Sequence, residues 1–92
     1  MGVPTSAVIE KTISSSAAFD NFANVIASRM DIANNTGVDI LVRRDYKGVA
    51  GVPMLVKDGQ GYTVDGIFNC NEVWVSRAEG SGSITVQAVY FA

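Results

Sequence analysis

The stretch Arg29-Met30-Asp31-Ile32-Ala33-Asn34-Asn35-Thr36-Gly37-Val38-Asp39-Ile40-Leu41-Val42-Arg43 decides how this chain is read. Met30 and Ile32 alternate with Arg29, Asp31 and Ala33. Val38, Ile40 and Val42 alternate with Asp39, Leu41 and Arg43. Side chains on a strand point to opposite faces in turn, so each run offers one apolar face. Between the runs, Asn34-Asn35-Thr36-Gly37 is turn chemistry, because Asn tolerates and Gly freely adopts left-handed backbone angles. The spacing predicts a β-hairpin with one greasy side. Such a hairpin is marginal alone in water, so the rest of the chain must cover it.

Working outward, Val52–Lys57, Tyr62–Asp65, Glu72–Arg77 and Ser83–Phe91 read as further strands. They are separated by Asp58-Gly59-Gln60-Gly61, by Gly66 with Asn69-Cys70-Asn71, and by Ala78-Glu79-Gly80-Ser81-Gly82. Strands at intervals of roughly ten residues predict an all-β fold: an antiparallel β-sandwich or small barrel of about six to seven strands. Pro53 belongs at a strand start or an edge, since it has no amide proton. Residues 45–51 carry two glycines and no period and read as a loop. In the last strand Ile84, Val86, Ala88 and Tyr90 share one face. Val89 and Phe91 make the other face apolar near its end, as for a strand central in its sheet or pressed on a partner.

Residues 1–24 differ from the rest and read as an N-terminal arm, with the sandwich in 25–92. Met1 to Ser6 is short and uncharged and is expected to be mobile or laid across a neighbour. Ala7 to Ile13 has the alternation of a strand, with Ile9 and Ile13 on one side. Phe19, Phe22, Ala23 and Ile26 have helical spacing, but Asp20, Asn21 and Asn24 are poor helix formers. A short helical turn and an extended arm both remain open.

The 92 residues form one domain, 48% hydrophobic. A chain this small hides only about 60% of its unfolded surface, so part of the apolar content is expected to find another chain. The net charge is −2, without a basic stripe, which argues against nucleic-acid binding. No apolar run is long enough to span a membrane, and no signal-peptide order is present. Met1 to Ser6 matches the permissive myristoylation pattern, with nothing else to support it.

Chemistry is sparse. The chain has no histidine and one cysteine, Cys70. Nucleophilic triads lack their usual base, and zinc, copper or non-haem iron sites lack their usual ligands, so no cofactor and no enzyme is expected. Asp31 and Asp39, facing across the hairpin, are the one carboxylate pair, and they read as solvated charges near Arg29 and Arg43. Cys70 reads as a small filler near a turn. Tyr46, Tyr62 and Trp74 offer an aromatic platform for sugars as the alternative reading.

The run 29–43, then Val56-Lys57-Asp58-Gly59-Gln60-Gly61-Tyr62-Thr63-Val64, then Val73-Trp74-Val75-Ser76-Arg77, resembles small β-sandwich virion proteins of tailed bacteriophages. The likeness covers roughly residues 25–90 and is a pattern of strands and turns, so no functional residue carries over. It implies a capsid decoration (cement) protein, or another head or tail component, located in the virion. Such a protein would associate with itself, as a trimer, and with the major capsid protein or another virion protein. The residues expected at such interfaces are Val8, Ile9, Ile13, Phe19, Phe22, Trp74 and Phe91.

Overall fold

A computed structural model of the chain describes residues 6–16 and 18–92. Residues 1–5, with the myristoylation-like pattern and most of the segment expected against a neighbour, lie outside the described residues. Eight strands follow one another: β1 (Ser6–Ser15), β2 (Asp20–Asn21), β3 (Arg29–Ala33), β4 (Ile40–Arg44), β5 (Met54–Val56), β6 (Gly61–Asp65), β7 (Val73–Arg77) and β8 (Ser81–Phe91). A 3₁₀ turn, Cys70–Glu72, leads into β7. Two four-stranded antiparallel sheets form, ordered β1-β8-β3-β6 and β2-β7-β4-β5. The fold is all-β and a β-sandwich, with the strand order of a jelly roll.

This order corrects the hairpin. β3 pairs with β6 and β8, whereas β4 pairs with β5 and β7, so the two arms of the decisive stretch lie in opposite sheets. Both keep the faces that alternation assigned them: Met30, Ile32, Ile40 and Val42 are all buried. What joins them is an arch across the edge of the core. The same Asn-Thr-Gly chemistry serves a hairpin or an arch, and the difference lies in where Asn34 points. Its side chain is fully buried. Its amide donates to the carbonyls of Val38 (2.8 Å) and Val56 (2.9 Å). Its oxygen accepts from the Thr36 amide (3.2 Å) and hydroxyl (2.7 Å). The Asn34 backbone also bonds the second crossing, accepting from Gly59 N–H and donating to the Gln60 carbonyl. Asp58 accepts from Gly37 N–H, and Asp39 accepts from Asp58 N–H, which ties the two arches together.

The segment expected as an arm is instead part of the sandwich. β1 pairs along its length with β8, Ala7 opposite Tyr90 and Ile13 opposite Ile84. β2 adds an edge to the other sheet, Asn21 opposite Trp74. Extended chain, rather than a helical turn, places Phe22 inside, where it is 1% exposed. A boundary at residue 24 therefore has no structural counterpart. The core gathers Ile13, Phe22, Met30, Ile32, Ile40, Val42, Val56, Val64, Val73, Val75, Val86 and Ala88 between the sheets. Each buried Val or Ile contributes about 1.5–3 kcal/mol. β8 is central in its sheet, which answers its two apolar faces: Val89 lies between Val8 and Asp31.

Asn34 donates to the buried Val56 carbonyl and shares the Val38 carbonyl with the Thr36 hydroxyl (3.0 Å), so Asn34→Ala is expected to lower unfolding free energy by about 1–3 kcal/mol, the cost of a buried polar group losing its partner. Urea denaturation at neutral pH checks this, with Thr36→Val expected to cost less.

Candidate interaction surface

Three connections meet at one end of the sandwich: residues 22–28, 45–53 and 66–72. They are laced from below by Arg44 and Glu72. Arg44 ends β4 on the same side as Ile40 and Val42, so its guanidinium closes the end of the core. It donates to Glu72 Oε1 at 2.8 and 3.1 Å and to the Gly66 carbonyl at 3.0 Å. The other Glu72 oxygen accepts the Phe68 and Asn69 amides, each at 2.7 Å. Asn69 caps the 3₁₀ turn through Asn71 N–H and also accepts Val25 N–H, which ties residues 66–72 to 22–28. Burial alone would push the Glu72 carboxyl up. The Arg44 hydrogen bonds and the two amides outweigh it and hold the group below its ordinary value.

The connection 45–53 is braced the same way. Arg43 pairs with Asp45 at 2.9 Å, and its guanidinium stacks over Phe19 (4.4 Å) and Trp74 (5.2 Å). Asp45 N–H bonds the Glu72 carbonyl, and Gly51 N–H bonds Asp45. A Cβ at Gly51 would stand 2.1 Å from the Arg44 carbonyl oxygen, so only glycine fits there. Beyond this base, Tyr46 and Val49 exchange backbone hydrogen bonds at 2.9 and 3.0 Å. Lys47 and Gly48 make the two-residue turn between them, both at positive φ, 51° and 79°. That is the I′ geometry in which Asn-Gly is favoured. Lys at the first position carries a strain of order 1 kcal/mol.

Upon this rigid base stands an apolar surface. Ile26 is 79% exposed, Val52 82%, Phe68 70% and Val49 69%. Tyr46 lies 6.5 Å from Phe68, ring to ring, the Ile26 backbone bridges Asn69 next to Phe68, and Tyr46 bridges Val49. Exposed large apolar groups brought together at one end, rather than scattered singly, are what marks a candidate interaction surface.

The expected interface residues lie elsewhere. Ile13 and Phe22 belong to this chain's own core and are unavailable to a neighbour, a correction that follows from β1 and β2 being pairing strands. Ile9 packs partly buried against the core. Phe19 and Trp74 are half-buried on the outer face of their sheet under Arg43, and Phe91 lies under Arg29 at 4.0 Å. Val8 alone of the set is openly exposed, beside a shallow groove of about 220 Å³ shared with Asp31, Gln87 and Val89. Residues 45–51, read as a plain loop, and the patch Ile67-Phe68 hold what sequence reasoning missed. Their one signal was large apolar residues in turn-rich segments.

The other candidates separate as well. Asp31 bonds Thr63 on one sheet face, while Asp39 serves the arch, so they form no pair. Tyr62 packs against the core and Trp74 faces out of the opposite sheet, so no three-ring platform assembles. Cys70 is fully buried, and burial pushes its thiol up.

No family model matches the chain, and no curated protein matches it in sequence. Among solved structures, the fold is similar to that of FeII HppE in complex with substrate (TM-score 0.66, 18% identity, covering 97% of this chain and 44% of that one). CoII HppE with substrate is comparable (0.63, 16%, 96% and 45%). So is hydroxypropylphosphonic acid epoxidase from S. wedmorenis in complex with fosfomycin (0.63, 17%, 96% and 44%). At these identities the likeness shows a shared fold, and the chain spans less than half the length of those proteins. Two of those structures are named with a metal, FeII or CoII. The interior is lined by hydrocarbon, the buried polar side chains are Asn34 and Ser76, and among the described residues no three His, Cys, Asp or Glu come together. A two-histidine, one-carboxylate iron centre would need ligands this chain lacks.

Two outcomes are expected. A carboxylate held below its ordinary value stabilises the fold above about pH 4.3, and that stabilisation is lost as pH falls through the folded value. The acid limb of stability against pH should therefore be shallower in Glu72→Gln, and the variant weaker at pH 7. Cys70 should resist a thiol reagent at pH 8 in native protein and react at once in 6 M guanidinium.

Proposed function

We propose that this chain is a non-enzymatic virion structural protein of the capsid decoration kind, which associates with its own copies and fastens onto a capsid lattice. The observation that carries the reading is the exposed apolar end, Ile26, Tyr46, Val49, Val52 and Phe68, on a base of paired charges. Burial of such groups is the main driving force of protein association, and a rigid base reduces the ordering cost of binding. The jelly-roll order supports it in a general way, since this architecture serves viral capsid proteins as well as lectins and small-molecule enzymes. Self-association into a trimer and attachment to the major capsid protein remain parts of this proposal.

The experiment is co-sedimentation of the purified chain with shells assembled from the major capsid protein of the same genome. Saturable uptake at a fixed ratio to capsid subunits, with a raised temperature of shell disruption, is the expected result. Absence of uptake at micromolar concentration would overturn the assignment.

A further inference from the structure

The tip of the β4–β5 connection carries a charge with no ion-pair partner among the described residues. Three of the chain's seven Lys and Arg fall within residues 43–47. Two of them are spoken for: Arg43 holds Asp45 at 2.9 Å and Arg44 holds Glu72 at 2.8 Å. Lys47 has no carboxylate within ion-pair distance among the described residues, and its ammonium lies 5.3 Å from the Tyr46 ring centroid. It also occupies the left-handed turn position, φ 51°, where Asn would be at ease. Local rules are broken in this way where a side chain is wanted for something else.

The surroundings indicate what that is. Lys47 borders an open hollow of about 250 Å³ that it shares with Asn21, Asn71 and Trp74. The two carboxylates at this hollow, Asp45 and Glu72, are neutralised by the arginines, so Lys47 leaves the tip net positive on a chain of net charge −2. Outside the hollow, Tyr46 and Val49 flank the Lys47-Gly48 turn, and Phe68 lies 6.5 Å from Tyr46, ring to ring. We propose that the tip is a charge-selective recognition element for an acidic protein surface: Lys47 takes a partner carboxylate seated in the hollow, and Tyr46, Val49 and Phe68 cover the apolar side chains beside it. A lysine that loses water only when a partner covers it discriminates by sign, because a like charge there is rejected. This inference rests on the docking reading above and names the chemistry of the partner.

The test does not require the virion. Uniformly ¹⁵N-labelled protein is titrated with two ten-residue peptides of leucine, phenylalanine and serine, identical except for a central Glu or Lys. The Glu peptide is expected to shift the amides of Tyr46 to Val49 and Phe68, binding at least fivefold more tightly than the Lys peptide. Half-molar salt should shrink that preference, and Lys47→Glu should reverse it. Lys47→Asn, which suits the turn, keeps the fold intact and should abolish the preference. Equal binding of the two peptides, shifts confined to other surfaces, or a preference that survives Lys47→Asn would overturn the inference. A selective tip on a protein that ignores capsid shells would sink the virion assignment alone. Shell binding without selectivity would sink the tip alone.

Discussion

The fold depends on getting a polar backbone from one sheet to the other without stranding its hydrogen-bonding groups. Apart from β4 and β5, no two consecutive strands pair with each other. Each crossing turns carbonyls and amides toward the core edge, where water cannot serve them. At the end nearest Gly37 the buried Asn34 amide answers that demand, and Asp58 and Asp39 extend the answer to the neighbouring arch. At the opposite end Glu72 accepts the amides of the 66–72 connection while Arg44 neutralises it. The two ends solve one problem differently, and the second solution leaves a stiff platform.

That stiffness explains why apolar side chains can stand exposed there. Tyr46, Val49 and Phe68 are anchored through backbone bonds and through residues directly beneath them, so they need no core contact of their own. The long edge strand β1 would be the other obvious place for association, yet it is guarded. Lys11, on the same side of β1 as Ile9 and Ile13, pairs with Asp20 at 3.1 Å, and the register breaks between Ile13 and Ser15. Charges that face inward and irregularities of this kind discourage a further strand from adding. The molecule thus closes its edge and opens its end.

Alternation along the chain made the strand faces legible: Met30 and Ile32, Ile40 and Val42, Val73 and Val75, and Val86 and Ala88 all point inward as their spacing requires. Pairing partners were not legible, because period-2 patterning is silent about which strand lies alongside. Ala7 finds Tyr90 across nearly the whole chain, and nothing local in residues 7–13 announces it. The spacing of Phe19 and Phe22 left a helical turn and an extended chain both open for a related reason, and the extended chain is found: it sends one ring under Arg43 and the other into the core. The apolar end was obscured because its residues come from separate turns, and only the fold collects them. The absence of histidine and the solitary cysteine were readable at once.

The central proposal is that a capsid shell is met through the end carrying Tyr46, Val49 and Phe68 rather than through the sheets. Hydrogen–deuterium exchange, compared between the isolated chain and the chain mixed with capsid shells, addresses this most directly. Added protection concentrated in residues 24–28, 45–53 and 66–70, with β1 and β8 unchanged, is the predicted pattern. Protection that falls on β1 and the outer face of its sheet, leaving the tip as fast as in the isolated chain, would contradict it.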